Sequence, residues 1–500
     1  MESKSMVRHG FDNELYIEKQ SEQISNRIND FGGKLYLEFG GKLFDDFHAS
    51  RVLPGFKPDS KLLMLRKLSD RAEIVIVICS SDIEKNKIRR DLGITYDMDV
   101  LRLIDAFREI GLYVGSVVIT RYDENPQTIA FKEKLEKLGV KVFLHYSIPG
   151  YPVDVDRIVS DDGLGRNEYI ETTRPLVVVT APGPGSGKMA TCLSQLYHEH
   201  KRGIKAGYAK FETFPIWNLP LNHPVNLAYE AATADLNDVN MIDPWHLEAY
   251  GKTTVNYNRD VEIFPVLNAI FKQISGESPY KSPTDMGVNM AGSCIADDIA
   301  VRKAAEDEII RRYYNALCDI KKGIEKEETA AKIELLMKKC GISIGDRPVV
   351  AAANKKSVDT GDQPAVALQL PDGRIICGKT TKLLGASSAM LLNSIKTLAG
   401  VPDEMELISR DVIEPVQRLK VEILRNNNPR LHLDELLVAL TVCANTDSNA
   451  RLALNQLSKL AGCEAHSTVI LSQVDEDVFR KLGIHLTSEP VYQTKKLYHG

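Results

Sequence analysis

The chain has 500 residues, of which 43% are hydrophobic and 26% charged, with a formal net charge of -5. This length exceeds one ordinary hydrophobic core, so we expect two to four domains. The near balance of 63 basic and 68 acidic residues argues against a nucleic-acid-binding face. The sequence has no apolar run of membrane-spanning length and no apolar signal segment at its polar start.

The eight cysteines are scattered, without a C-x-x-C pair. This pattern favours reduced thiols in the cytoplasm over a disulfide framework or a structural zinc site. We therefore expect a cytoplasmic protein that acts on a small molecule, with neither nucleic acid nor a membrane as a partner. Closed homo-oligomers are common among soluble proteins, so we also expect a homo-oligomer.

The first part of the chain alternates apolar strand patterns with helical patterns. The clearest helical patterns lie at 100–110 and 128–138, and the strand patterns lie at 34–39, 73–79, 113–120, 141–145, 176–180 and 206–210. Several of these strands are continuously apolar, which is typical of a parallel sheet covered by helices on both faces. The alternation predicts an α/β fold with a doubly wound, mostly parallel sheet, whose ligands bind beyond the carboxyl ends of the strands.

The strongest functional signal is the segment 177–191, in which an apolar strand pattern stops at a turn with three glycines. A helical pattern follows Lys188. Glycines allow successive backbone N–H groups to face one anion, and a helix N-terminus adds partial positive charge. A lysine at this place supplies a mobile cation for the outer phosphates of a nucleotide. We therefore expect a phosphate-binding loop with contacts from Gly183, Gly185, Ser186, Gly187, Lys188 and Thr191.

The match to the phosphate-loop pattern G-x-x-x-x-G-K-[ST] is incomplete. The final Gly-Lys pair fits, but Pro182 stands at the first glycine and Met189 replaces the hydroxyl residue that holds magnesium. Thr191 or Ser186 is a candidate for the missing hydroxyl. The alternative interpretation is an ordinary glycine-rich turn followed by a solvated lysine.

The rest of the chain indicates a middle region and a second α/β domain. Residues 211–260 are rich in Pro, Asn and aromatic residues around a short helix at 225–236, and 296–339 predict one or two long helices. After a hinge at 341–346, strands are predicted at 348–353, 365–370 and 375–378, and helices at 387–399, 413–424, 433–444 and 450–460. We divide the chain into an N-terminal α/β domain at 1–235, a loop-rich then helical middle region at 236–345, and a C-terminal α/β domain at 346–500.

Further candidate residues follow the glycine-rich loop. Lys210 ends the strand at 206–210, and the segment 203–210 resembles the class of phosphate-loop enzymes that includes dethiobiotin synthetase, in which a lysine at this place faces the substrate. The alternative for Lys210 is a strand end whose lysine is merely exposed. In the polar block 240–260, Arg259 is suited to clamp a carboxylate or phosphate, and His246 to move protons near neutral pH. The alternative is that these side chains cap helices and fix a long loop. No later strand before residue 347 ends in a clear magnesium-binding Asp, so Asp243 or Asp260 is the candidate second acid.

Two other glycine-rich segments carry weaker signals. The sequence Glu38-Phe39-Gly40-Gly41-Lys42 follows a strand pattern and is a candidate second anion site, or a plain turn. Residues 377–388 join a strand to a helix, where they either approach a ligand or form a helix N-terminus.

The segments 180–188, 240–251 and 383–392 together resemble a bacterial family catalogued as a domain of unknown function, number 1846. The resemblance covers essentially the whole chain. It implies an N-terminal α/β region with the glycine-rich loop, a helical middle region and a C-terminal domain of three α/β layers resembling the cytidine-deaminase fold. The zinc ligands of deaminases are missing here, so this likeness implies no deaminase activity. The family has no established reaction.

Three functional hypotheses follow. The first is an enzyme that binds ATP with Mg²⁺ at the glycine-rich loop and phosphorylates or activates a small polar substrate, as a kinase or ligase does. Its catalytic residues would be Lys188, Lys210 and His246, and its substrate contacts Asp243, Asn258 and Arg259; the sequence does not identify its metal ligands. The second is a module that binds an anionic metabolite without hydrolysing a nucleotide. The third is a non-nucleotide transferase or lyase with a site between the two α/β domains, near Gly183 and Gly378.

Overall fold

A computed structural model of the chain describes residues 10–41, 43–44, 46–89 and 92–493. Contacts between these residues define two units. Unit 1 contains the described residues of 1–230 and 237–305, and unit 2 contains those of 231–236 and 306–493. The division predicted at residues 235 and 345 stays a prediction.

The strands of unit 1 form one large parallel sheet and two small antiparallel pairs. Their bounds are β1 Leu35–Phe39, β2 Ala72–Cys79, β3 Ile88–Arg89, β4 Ile94–Thr95, β5 Tyr113–Thr120, β6 Lys141–Leu144, β7 Leu176–Thr180, β8 Gly207–Phe211, β9 Asn240–Ile242, β10 Val255–Tyr257 and β11 Gly287–Val288. Among the described residues, seven strands form the large sheet in the order β11-β8-β1-β7-β2-β5-β6, and every neighbouring pair is parallel.

Helices connect these strands. Their bounds are α1 Asn13–Asp30, α2 Phe47–Val52, α3 Ser60–Lys67, α4 Ser80–Glu84, α5 Tyr96–Glu109, α6 Pro126–Lys137, α7 Val155–Ile158, α8 Lys188–Lys201, α9 Pro224–Ala232, α10 Pro244–Tyr250, α11 Asn258–Ser275, α12 Pro283–Met286 and α13 Asp298–Lys321. The ends of α9 and α13 belong to unit 2. Short 3-10 turns lie at Leu164–Arg166 and Ala291–Cys294 in unit 1 and at Ala234–Leu236 in unit 2.

The predicted parallel sheet is confirmed. The strands predicted at 113–120 and 176–180 have the predicted bounds, and the other four agree within one residue at each end. All of β1, β2 and β7 is buried. On one face, Tyr36, Val177, Val179 and Tyr208 pack with apolar residues of α8 and α11 in a single core. The continuously apolar strands are therefore explained by burial within the sheet.

Unit 2 contains a four-stranded mixed sheet. Its elements are α14 Glu327–Cys340, α15 Pro348–Asp359, β12 Ala365–Gln369, β13 Ile375–Lys379, α16 Ala386–Ala399, α17 Arg410–Arg418, α18 Leu433–Cys443, α19 Ser448–Leu454, β14 Glu464–Ser467, α20 Gln473–Lys481 and β15 His485–Ser488. The strand order is β13-β12-β14-β15, with β12 antiparallel to both of its neighbours and β14 parallel to β15. Val366 and Leu368 join the larger core with α16 and α18, while Ala367 packs with α15. The likeness to the cytidine-deaminase fold stays a prediction.

One predicted strand of unit 2 is wrong. Residues 348–353 begin α15, with Pro348 in its first turn. A short apolar run does not distinguish a buried strand from a buried helix, whereas proline is favoured at the first helical position. The one or two long helices predicted in 296–339 are two, α13 and α14, and a turn at 371–373 joins β12 to β13 as an antiparallel hairpin. None of the described helices combines the length and apolar character needed to cross a bilayer.

Buried charges connect α13, α15 and the sheet of unit 2. The Glu464 carboxylate lies 2.6 Å from both Arg311 and Arg347, and His485 Nδ1 lies 3.0 Å from it. Burial by itself raises the pKa of Glu464, but the charges of Arg311 and Arg347 and the hydrogen bond with His485 outweigh burial and lower this pKa to about 2. This carboxylate therefore stabilises unit 2 in its ionised form.

We predict that Glu464→Gln lowers the free energy of unfolding at pH 7 by about 3–5 kcal/mol, because the buried Arg347 guanidinium loses its carboxylate partner and Arg311 keeps only Glu308 of its two carboxylate partners among the described residues. The folded-state pKa lies below the ordinary 4.5, so the contribution of Glu464 is present above that pH and is lost as pH falls towards 2. Urea denaturation between pH 2 and 7 measures both effects, with the exposed Glu404→Gln as the control. Equal stability of the two variants at pH 7 would contradict this account of the network.

Candidate functional site

The glycine-rich loop occupies residues 181–187, between the end of β7 and the start of α8. Gly185 and Gly187 have φ values of +76° and +92°, which favour glycine over any residue with a side chain. Gly187 is the N-cap of α8, and no described side chain caps this helix end by a hydrogen bond. The orphan N–H groups of the first turn are thus available to an anion at the carboxyl end of the sheet.

Neighbouring elements fix the shape of the loop. Thr120, at the end of β5, donates a hydrogen bond of 2.6 Å to the Ser186 carbonyl, and the Ser186 hydroxyl donates one of 2.8 Å to the Gly183 carbonyl. Gly183 packs so closely on Tyr96 that an added Cβ would lie 2.3 Å from the phenol oxygen. An added Cβ at Gly185 would meet no atom within 4 Å. The loop is therefore held from the sheet side and open above Gly185.

Two cations flank the loop. Lys188 is the first residue of α8, and Arg121 follows β5 and donates a hydrogen bond of 3.3 Å to the Gly185 carbonyl. Arg121 has a φ of +46°, in the left-handed region that residues with side chains seldom adopt. Within the described ranges, neither cation has an acidic partner.

The hydroxyl groups predicted to replace the missing magnesium ligand are engaged by the backbone. Ser186 donates to the Gly183 carbonyl, and Thr191 donates to the Gly187 carbonyl at 3.1 Å. Both residues are buried. Their hydrogen bonds stabilise the loop and the first turn of α8, and their contact with a metal stays a prediction.

Lys210, the second predicted catalytic lysine, lies among carboxylates at the carboxyl end of β8. Its ammonium is 2.7 Å from Glu212 and also pairs with Asp260, in the first turn of α11. Burial lowers the pKa of Lys210, but the charges of Asp260, Glu212 and Glu38 together outweigh burial and hold this pKa above its ordinary value. Lys210 is therefore a half-buried lysine whose charge is stabilised by its neighbours, and its contact with a substrate stays a prediction.

Glu38 is the neighbour of Lys210 in the parallel register of β1 and β8, and of Val179 in the register of β1 and β7. Its carboxylate accepts a hydrogen bond of 2.8 Å from the Tyr208 hydroxyl and is 8% exposed. No cation among the described residues pairs with it.

The remaining predicted residues form a separate hydrogen-bonded group around α10 and α12. Asp243 caps α10 through the His246 N–H and also accepts from Thr284. His246 Nδ1 lies 2.9 Å from the Ser282 hydroxyl. These contacts match the alternative interpretation of this block, in which its polar groups cap helices and fix a loop.

Arg259 and Asn258, at the start of α11, have partners of their own. Arg259 makes a two-pronged ion pair of 2.7 and 2.8 Å with Asp238, and Asn258 accepts from the Val239 N–H. None of Asp243, His246, Asn258 and Arg259 makes a hydrogen bond or ion pair with the glycine-rich loop. Their roles in substrate binding stay predictions.

Sequence reasoning missed Arg121, Thr120 and Glu212 and placed Glu38 only in a candidate second anion site. The signal available in the sequence was the position of these residues along the predicted strands. Glu38 is the last residue but one of the strand predicted at 34–39, and Thr120 ends the strand predicted at 113–120. Parallel strands bring such ends to one edge of a sheet. No group of three or more His, Cys, Asp or Glu side chains in the described ranges is arranged to hold a metal ion.

Burial raises the pKa of Glu212 to about 7, with Asp260 adding to this effect and Lys210 opposing it. The folded chain therefore binds more protons than the unfolded chain between about pH 4.5 and 7, and the free energy of unfolding falls as pH rises through this range. We predict that Glu212→Gln removes this slope, worth ~3 kcal/mol. Denaturation at several pH values between 4.5 and 8 measures how the free energy of unfolding depends on pH, with the exposed Glu133→Gln as the control. The same pH dependence in the wild type and in Glu212→Gln would contradict the prediction.

Comparison with known proteins matches this chain to one family along nearly its whole length. The model described as "Domain of unknown function DUF1846, N-terminal" matches residues 9–341, and the one described as "Domain of unknown function DUF1846, C-terminal" matches residues 345–498. A UPF0371 protein of Corynebacterium efficiens is 58% identical over 493 residues, covering 98% of this chain and 99% of the relative. A UPF0371 protein of Streptococcus thermophilus is 56% identical over 493 residues, covering 99% of this chain and 100% of the relative. A UPF0371 protein of Corynebacterium diphtheriae is 59% identical over 490 residues, covering 98% of each chain. The chain therefore belongs to the DUF1846 family, also called UPF0371, whose function is uncharacterised.

Proposed function

We propose that the protein is an enzyme that binds the phosphate groups of a nucleotide, ATP with Mg²⁺, at residues 183–188 and uses it to phosphorylate or activate a small polar substrate. The observation that carries the proposal is that two cations, Lys188 and Arg121, lie beside an uncapped helix N-terminus and have no acidic partner in the described part of the chain. Arg121 is exposed and Lys188 is half-buried, so both can reach a ligand from solvent at the same loop.

The local geometry suits a phosphate better than a carboxylate. Gly185 and Gly187 both have positive φ, a backbone pattern that directs N–H groups into an anion-binding concavity. The first turn of α8 adds the positive end of the helix dipole. A guanidinium and an ammonium on either side of these N–H groups supply more positive charge than one carboxylate needs, and a polyphosphate carries the matching negative charge.

In this proposal, the residues around the loop have distinct roles. Backbone N–H groups of Gly187 and of the first turn of α8 would orient the phosphates, and Lys188 would stabilise the negative charge that develops on the outer ones. Arg121 would hold the phosphates from the β5 side. ATP, when bound, supplies the phosphoryl or nucleotidyl group that is transferred. Lys210, fixed by Glu212 and Asp260, would keep positive charge at the carboxyl end of β8.

A specific observation favours a second candidate, a module that binds an anionic metabolite without hydrolysis. Met189 stands where phosphate-loop enzymes place a magnesium-binding hydroxyl, and the hydroxyls of Ser186 and Thr191 donate to the backbone. An anion that needs no metal would still bind the loop N–H groups. Phosphate release from ATP that requires Mg²⁺ and exceeds that of Lys188→Ala would rule out this candidate.

We predict that ATP or pyrophosphate raises the melting temperature of the wild-type protein and that Lys188→Ala abolishes the increase. A ligand at about 100 times its dissociation constant adds roughly 2.7 kcal/mol to the free energy of unfolding, which a thermal melt detects. Lys134→Ala, an exposed lysine in the last turn of α6, is the matched control and should respond as the wild type does. The proposal fails if no nucleotide or polyphosphate stabilises the folded wild type, or if Lys188→Ala is stabilised equally.

A further inference from the structure

Two opposite charges at the carboxyl end of the sheet remain unpaired in the described residues. Glu38 is 8% exposed, and among the described residues its hydrogen-bond partner is the neutral Tyr208 hydroxyl. Within the same described ranges Lys188 makes no ion pair. The Lys210 charge also acts on Glu38, but the Lys210 ammonium is in ion-pair contact with Glu212 and Asp260, so three carboxylates share one lysine. Burying carboxylates with too little counter-charge is costly, so a native protein seldom keeps such a group without a function.

Both groups lie on the same face of the sheet. Side chains alternate along a strand, so Glu38 shares a face with Tyr36, which packs in the core with Cys192 and Leu193 of α8. Lys188 and Cys192 are four residues apart and therefore lie on the same side of α8. Burial raises the pKa of the Cys192 thiol, the Glu38 charge raises it further, and the Lys188 charge lowers it, in agreement with this placement on one face.

The two charges nevertheless do not pair with each other. A ligand that bears both signs would satisfy them together, with its anionic part on Lys188 and its cationic part on Glu38. Magnesium bound to phosphates has this character. It keeps several waters and is held by one or two carboxylates plus substrate phosphates.

We propose that Glu38 is the carboxylate that binds the magnesium ion of the phosphate ligand, at the end of the strand next to β7. This inference rests on the proposed phosphate site. It is consistent with the absence, in the described ranges, of three or more side chains arranged to hold a metal by themselves, because substrate phosphates and water would provide the other ligands. The oxygen of Glu38 that does not bond Tyr208 accepts no hydrogen bond from any residue that the structure describes, and it would be the oxygen that binds the ion.

The neighbouring carboxylates do not compete for this role. Glu212 and Asp260 both pair with the Lys210 ammonium, which occupies the position that a cation would take between them. Of the three carboxylates around the Lys210 ammonium, Glu38 is the one that makes no ion-pair contact with a described cation. In the sequence, no later strand before residue 347 ends in a clear magnesium-binding Asp. Glu38 would supply this acid from β1, which precedes the loop in the sequence and neighbours β7 in the sheet.

The test measures pyrophosphate binding by calorimetry with and without Mg²⁺, and Mn²⁺ binding by electron paramagnetic resonance in the presence of pyrophosphate. In the wild type, we expect Mg²⁺ to tighten pyrophosphate binding at least tenfold. In Glu38→Gln, we expect Mg²⁺ to leave the affinity for pyrophosphate unchanged and Mn²⁺ to remain unbound. The variant should still bind pyrophosphate in the absence of metal. The exposed Glu133→Gln should behave as the wild type.

The outcomes separate the two proposals. A wild type that does not bind pyrophosphate overturns the phosphate site and this inference with it. A wild type that binds pyrophosphate through Lys188 without a Mg²⁺ effect, or a Glu38→Gln variant that keeps the full enhancement, overturns only the role of Glu38. If Glu38→Gln does not fold, Glu38→Asp replaces it, because this variant keeps the negative charge on a side chain that is one methylene shorter. A weaker effect of Mg²⁺ on pyrophosphate affinity in Glu38→Asp supports the inference, and an unchanged effect overturns it.

Discussion

The parallel alignment of β1, β7 and β8 is the constraint on which the arrangement of unit 1 depends. Their register brings Glu38, Val179 and Lys210 to the same level, so the loops after these strands open on one edge of the sheet. A helix that packs back on a parallel sheet begins at this edge, which places the N-terminus of α8 beside the ends of β1 and β5. The same alignment brings residues that are far apart in the sequence to the glycine-rich loop.

Charge pairing divides this edge into two regions. Lys210, Glu212 and Asp260 satisfy one another, as do Arg259 and Asp238, and these groups hold the ends of β8 and α11 in place. Lys188, Arg121 and Glu38 have no partner of opposite charge in the described part of the chain. Buried ion pairs are by themselves weak indicators of function, whereas unpaired charges of both signs around a backbone anion site indicate a ligand. The proposals rest on this difference.

Local signals made much of the fold predictable. A continuous apolar run bounded by turn residues gave β7 its bounds, and a mostly β-branched run did so for β5. The glycines and Lys188 marked the loop because both features are local. Local signals failed at 348–353, where Val349 and Val350 suit a strand as well as a helix and only Pro348 indicated the latter. They also did not show which strand neighbours β7, since strand order depends on crossovers of many residues. The partners of Lys210, the position of Glu38 and the left-handed Arg121 therefore required the structure.

The most direct measurement is diffraction from crystals of the full chain grown with pyrophosphate and Mn²⁺, whose anomalous scattering locates the metal. We predict pyrophosphate oxygens at hydrogen-bond distance, about 2.7–3.2 Å, from Lys188 Nζ and from the N–H groups of the first turn of α8. Pyrophosphate bound elsewhere, with the loop at 183–188 vacant, would contradict the central claim that this loop is the phosphate site.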